Sequence, residues 1–204
     1  MESKTQKGYL VLADISGYTF FLAETELEHA NIAISLLLET IVGRLNSVLT
    51  ISKLEGDAVF AYAEENKLPM GTDLMGLLDR TYQAFRNQAD ELHGKSTCPC
   101  KACQAIPSLD LKFIVHHGDF LIQQVAGIKD LLGTDVNLIH RLLKNHVAES
   151  TGWRGYSLIT NQGLEHMQIN KKPFVKQTES YEHLGEVATY VMDMHTRFEE
   201  MKSL

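Results

Sequence analysis

Apolar and polar positions recur at two periods along the chain and divide it into strands and helices. Tyr9–Asp14 is an apolar run that closes on a carboxylate, followed at once by Ser16-Gly17. This predicts a buried strand that delivers Asp14 to a sheet edge and then turns. From about Glu24 to Val48, residues Leu27, Ala30, Ile34, Leu37, Leu38, Ile41, Val42, Leu45 and Val48 follow helical spacing, so one long amphipathic helix is expected. Ser52–Tyr62 reads as a hairpin that turns at Glu55-Gly56-Asp57. Glu64–Thr72, with Pro69 and Gly71, reads as a loop. A second helix, starting after Thr72 or Asp73, carries Leu74, Leu77, Leu78, Tyr82, Phe85 and Ala89 inward. After an irregular stretch, Leu109–His117 reads as a strand, Gly118-Asp119 as a tight turn and Phe120–Ala126 as the antiparallel partner. Gly127–Thr134 reads as a loop, and Asp135 as the cap of a third helix reaching about Ala148, with Val136, Ile139, Leu143 and Val147 inward. Ser157–Thr160 and Val187–Met192 are further strands, Gln162–Met167 a helical turn, and the tail from Thr196 helical.

The order β-α-β-β-α-β is the ferredoxin-like pattern. The expected fold is α+β: a ferredoxin-like βαββαβ core with extra strands, an antiparallel sheet with helices on one face. At 204 residues the chain suits one domain, 1–204, with a Cys-containing insertion at about 93–107. A hydrophobic fraction of 44% is enough for a substantial core. The net charge of −7 disfavours a general nucleic-acid or anionic-membrane surface. No N-terminal signal pattern and no apolar run near the ~18 residues of a membrane span are present. The three cysteines are odd in number and clustered, unlike a secreted disulfide framework, so a cytoplasmic protein is the expectation.

Three segments carry the candidate chemistry. Leu10-Val-Leu-Ala-Asp14-Ile-Ser-Gly and Lys53-Leu-Glu-Gly-Asp57 each offer a carboxylate beside a turn, on strands that can be sheet neighbours. Two such carboxylates can hold a hard divalent cation, or can be solvated turn residues. Asp130-Leu-Leu-Gly-Thr-Asp-Val-Asn137 leads into Leu-Ile-His-Arg141, with Asn137 and Arg141 on one helix face. A guanidinium can spread charge on a phosphate undergoing attack, and an amide can hydrogen-bond a ribose. Lys53 is a donor and Asp130 an acceptor, which suits the N1 acceptor and N6 donor of adenine.

In this order, the three segments resemble the class III adenylyl/guanylyl cyclase catalytic domain, from about Tyr9 to Val191. The resemblance implies that Asp14, Asp57 and the backbone carbonyl of Ile15 hold two Mg²⁺ or Mn²⁺ ions. It also implies that Lys53 and Asp130 select adenine, and that Asn137 and Arg141 act on the ribose and the transition state. Adenylyl cyclases carry Lys and Asp at the two base-selecting positions, whereas guanylyl cyclases typically carry Glu and Cys. The implied reaction is ATP to cyclic AMP and pyrophosphate, in a homodimer whose sites lie across the two-fold axis, with no nucleic-acid or membrane partner. The chain departs from the family pattern in two places. The stretch from Gly118 to Asp130 is short and carries Gln123-Gln124, and Gly185–Tyr190 lacks the Lys that adenylyl cyclases use on the triphosphate. Lys171, Lys172 and Lys176 are the cations near that stretch. A catalytically inactive cyclase-like nucleotide-binding or regulatory module is therefore the alternative.

Cys98, Cys100 and Cys103 are the three thiols. They suit structural Zn²⁺, with His93 or a residue outside the segment as fourth ligand, or stay reduced in a cytosolic loop. His116 and His117, adjacent on a strand, should point one to the core and one to the surface.

Overall fold

The computed structural model describes residues 4–68 and 72–203. The loop expected at Pro69 and Gly71 lies outside the described residues, as does the side chain of Thr72. Asp73 already stands in the first helical turn rather than before it.

The chain begins with β1 (Gln6–Ser16), α1 (Tyr18–Glu24), α2 (Leu27–Leu45), β2 (Thr50–Glu55), β3 (Ala58–Glu64) and α3 (Thr72–Lys95). It continues through α4 (Lys101–Ala105), β4 (Asp110–Val125), β5 (Ile128–Leu132), α5 (Thr134–Leu142) and α6 (Val147–Thr151). It closes with β6 (Tyr156–Thr160), α7 (Asn161–Met167), β7 (Val175–Tyr181), β8 (Gly185–Asp193) and α8 (Met194–Lys202). The strands lie in the order β2-β3-β1-β4-β6-β8-β7, with β5 paired to the distal half of β4. Every pair is antiparallel except β4–β6. The segment β2-β3-β1-β4 is the ferredoxin-like core that the element order predicted.

β1 is apolar without alternation because it is covered on both faces. Val11 and Ala13 point into one core layer with Phe113, Val115, Leu37 and Ile41 of α2, and Leu78, Tyr82 and Phe85 of α3. Leu10 and Leu12 point into the other with Phe60, Ile114, Leu158, and Val136, Ile139 and Leu142 of α5. The long helices thus cover one face, while α5, with Val147 of α6 beside it, packs on the other and carries Asn137 and Arg141 there.

Several boundaries differ from the sequence reading. The helix expected over Glu24–Val48 is two helices, because Thr25 is extended (φ −128°, ψ 166°) and its hydroxyl donates back to Phe21 O at 2.7 Å. Leu27 is exposed. Gly118-Asp119 is not a turn: β4 runs straight through it to Val125. The hairpin turns instead at Ala126-Gly127, both at positive φ (51° and 83°), so β5 replaces the expected loop. Gly118 is required for another reason. A Cβ there would collide with the Asp135 side chain, which lies directly over it.

Asp135 does not cap α5. Gly133 precedes the helix, and the Asp135 carboxylate in the first turn accepts from Asp119 N (2.7 Å) and lies 3.1 Å from His116 Nε2. The third helix ends at Leu142 because Asn145 donates to Leu142 O (2.8 Å) and accepts from Val147 N (3.0 Å), starting α6 separately. β7 is an unpredicted edge strand: its sequence is polar and largely exposed, with Glu179 as its one fully buried side chain.

His116 and His117 do face opposite sides, yet both are buried, because both sheet faces are covered at that level. His116 Nδ1 lies 2.9 Å from Thr160 Oγ1. His117 stacks on His166 with ring centroids 3.5 Å apart and meets the edge of Tyr9.

Candidate active site

The strand pairing brings the two aspartates together. In the β1–β3 register Asp14 sits opposite Ala58, the residue after Asp57, and Ile15 N donates to Asp57 O at 3.3 Å. Burial, then the neighbouring Asp14 charge, push the Asp57 carboxyl up to about 6. Two carboxylates crowded in this way favour a cation between them, and together with a carbonyl they form an all-oxygen donor set suited to Mg²⁺ or Mn²⁺. The donor chemistry therefore fits the divalent ions that the resemblance implies.

A residue absent from the sequence reading completes this group. Lys112 faces Asp14 across the β1–β4 pairing, and its Nζ lies 2.9 Å from Asp14 Oδ2. Its side chain is only 18% exposed. Burial pulls the Lys112 pKa down, but the Asp14 charge and hydrogen bond outweigh it and hold the ammonium above its usual value. A signal was present in the sequence: Lys112 breaks the apolar run of β4 on the face shared by Ile114, and a lysine there needs a partner.

The second group forms around β2, β5 and α5. Lys53 and Asp130, distant in sequence, are an ion pair at 3.1 Å, since the β4–β5 hairpin folds β5 towards β2. Glu55 also contacts Lys53 at 3.0 Å and His140 Nδ1 at 3.3 Å. The His140 ring stands edge-on to Phe60, centroids 4.8 Å apart. Burial opposes charge on both Lys53 and Asp130. It is outweighed on Lys53 by Glu55 and Asp130, which raise its pKa, and on Asp130 by the Leu131 N–H and Lys53, which lower it. Glu55 and His140 were not singled out from sequence, where each is an ordinary polar residue.

Asn137 and Arg141 lie one turn apart on α5 and are exposed. Among the described residues neither side chain makes a hydrogen bond or ion pair within the chain. No such bond joins the Asp14–Asp57–Lys112 group to the Lys53–Asp130 group either.

The remaining candidates fall elsewhere. Lys171 is held by Asn161 (2.6 Å) and Glu165 (3.2 Å) on α7, and its ammonium lies over the Tyr190 ring. Cys98, Cys100 and Cys103 gather around His29 of α2. His93 instead contacts the Cys103 carbonyl at 3.0 Å. Its position at the end of α3 puts its ring on the backbone of the segment rather than among the thiols. Arg154 packs its guanidinium against Gly17, whose φ of 91° turns the chain from β1 into α1.

The fold is shared with cyclases of known structure. The guanylyl cyclase Cya2 superposes with a TM-score of 0.74 at 14% identity, covering 94% of this chain and 93% of that one. The adenylyl cyclase CyaB from P. aeruginosa superposes at 0.69 and 16% identity, covering 95% and 97%. A rhodopsin-guanylyl cyclase core with converted specificity, in complex with ATPαS, gives 0.59 at 19% identity, covering 93% and 97%. The architecture is that of class III cyclase catalytic domains. In sequence, the chain is 31% identical over 164 residues to the uncharacterized protein Rv2561/Rv2562 of Mycobacterium tuberculosis (strain ATCC 25618 / H37Rv), covering 78% of this chain and 73% of that protein. The family model for a protein of unknown function, DUF2652, matches residues 34–151, more than half of the 204 residues, and the chain belongs to that family.

Proposed function

We propose that this protein is a nucleotidyl cyclase that converts ATP to cyclic AMP and pyrophosphate as a homodimer. The reading rests on one chain holding both the crowded Asp14–Asp57 pair and the Lys53–Asp130 ion pair. The β4–β5 hairpin exposes Val125, Ile128 and Leu132, apolar side chains that a partner copy would cover. The same reading treats residues 1–204 as one cyclase-like domain.

Asp14, Asp57 and the Ile15 carbonyl would hold the Mg²⁺ or Mn²⁺ pair, which supplies positive charge for the attacked phosphate and the leaving group. Lys112, already beside Asp14, is placed to leave that carboxylate for a phosphate oxygen and takes the place of the missing Lys in Gly185–Tyr190. From the partner copy, Lys53 would donate to adenine N1 and Asp130 accept from the N6 amino group. Asn137 would hold the ribose. The 3′-oxygen attacks the α-phosphorus, the bond to pyrophosphate breaks, the hydroxyl proton passes to solvent, and Arg141 balances charge that grows at the phosphorus. The choice of ATP over GTP rests on the donor Lys53 and the acceptor Asp130.

The Lys112–Asp14 ion pair favours a second reading, in which Lys112 takes the place of the ions permanently and the chain is a non-catalytic nucleotide-binding module. The test is purified protein with Mn²⁺ and either ATP or GTP, scored for cyclic product by mass. Cyclic AMP that disappears in Asp14→Ala supports the enzyme. Nucleotide binding that depends on Asp14, without any cyclic product, establishes the module.

A further inference from the structure

The structure assigns a fourth ligand to the cysteine cluster: we propose that His29, Cys98, Cys100 and Cys103 bind one structural Zn²⁺ that clips the 96–103 segment onto the first turn of α2. The four ligand atoms all lie within 4.8 Å of one another. His29 Nδ1 is 3.1 Å from Cys100 Sγ and 3.5 Å from Cys98 Sγ. A tetrahedral zinc, with bonds of about 2.3 Å to sulfur and 2.0–2.1 Å to nitrogen, requires nitrogen–sulfur separations of roughly 3.5 Å. The cluster is therefore already near the required shape, and it offers four protein ligands, the number that closes a structural site against water.

A second observation gives the site its purpose. The segment has little core of its own: of residues 96–105, Ala102 alone is fully buried. It is held to the rest of the fold by polar contacts from the turn between α1 and α2. Glu26 accepts from Ala102 N (3.1 Å) and Lys101 N (3.4 Å) at the start of α4. His29 stands one turn further along α2, so a metal bound there would anchor the same segment at a second point. His93 lies outside this cluster of four ligand atoms, and its Nδ1 faces the Cys103 carbonyl. This inference does not depend on the proposed reaction, because the cluster shares no residue with the nucleotide groups.

The experiment uses full-length protein without a His-tag, purified with zinc in the medium. Metal analysis should give about one zinc per chain, and a chelator should lower the melting temperature and expose three titratable thiols. Cobalt-substituted wild type should show thiolate-to-metal charge transfer and tetrahedral visible bands, which report the ligand set without any mutation. Competition with a chromophoric chelator should show His29→Ala weakened by at least the roughly 10–100-fold typical of losing a supporting contact. His93→Ala should retain wild-type affinity. Absence of zinc, a disulfide among the thiols, an octahedral cobalt spectrum, or His93→Ala weakened while His29→Ala is not, would each overturn the proposal.

Discussion

At the scale of single residues, Asp57 and Lys112 are opposite cases of a buried charge. Asp57 is pushed from the ordinary 3.8 to about 6, so the folded state binds its proton more tightly than the unfolded chain does. Stability from this group is present below the unfolded value, is lost as pH rises towards about 6, and is level above that. In metal-free protein, the melting temperature of wild type relative to Asp57→Asn should therefore fall between about pH 4 and 6. Added Mn²⁺ at pH 7.5 should restore it in wild type only; a flat difference profile would show that Asp57 is not crowded. Lys112 is held charged by Asp14. If it serves phosphate, Lys112→Met should raise the KM for ATP and leave Mn²⁺ binding little changed. If it replaces the ions, the same variant should bind Mn²⁺ more tightly in calorimetry. Arg141→Ala should lower kcat by about 10²–10³-fold with little change in ATP affinity, since its partner charge develops only in the transition state. Single-turnover kinetics beside equilibrium ATP binding would separate the two effects.

Among the elements, the β4–α5 contact decides where Asn137 and Arg141 stand. α5 is short, and its first turn is tied to β4 through Asp135, which bonds Asp119 N and approaches His116 over the bare backbone of Gly118. Gly118→Ala forces the Asp135 Cβ and carboxylate off that surface. The expected cost is about 1–3 kcal/mol in urea unfolding, the range for inserting a methyl into a packed contact. Activity should fall further than stability explains, because α5 would shift as a unit. A Gly118→Ala variant with wild-type stability and turnover would show the Asp135 anchor to be dispensable. The β4–β5 hairpin has the matching role for Asp130, carrying it back to Lys53. The double variant Lys53→Glu, Asp130→Cys should move preference from ATP towards GTP, read as the ratio of kcat/KM for the two substrates.

On the scale of the whole molecule, no hydrogen bond or ion pair among the described residues joins Asp14, Asp57 and Lys112 to Lys53 and Asp130, or either set to the side chains of Asn137 and Arg141. A two-fold dimer would set each against the other group's copy. Mixing Asp14→Ala with Arg141→Ala protomers should then restore activity, because one of the two sites in each mixed dimer is intact. Inactive mixtures, with wild type active and mixed dimers demonstrated, would remove the shared site. Among the described residues no helix is long and apolar enough to cross a membrane.

What the sequence determined by itself is local or repeats at short range. The apolar run ending at Asp14, the 3.6-residue stripes of the helices and the order βαββαβ were legible because strand and helix periods are written in neighbouring residues. That was enough for the fold and for the carboxylate, amide and guanidinium candidates. It failed where a side chain some distance away overrules local pattern. Gly118-Asp119 looks like a turn, yet the glycine serves Asp135 from α5. The polar edge strand β7 has no stripe to read, because it is paired by backbone and buries almost nothing. Only the tertiary structure put Lys112 on Asp14, His140 beside Glu55, Asp130 on Lys53, and His29 rather than His93 among the thiols. Each of these contacts joins elements whose spacing in sequence carries no information about their distance in space. The sheet order and the packing of α2 against the 96–103 segment set that distance.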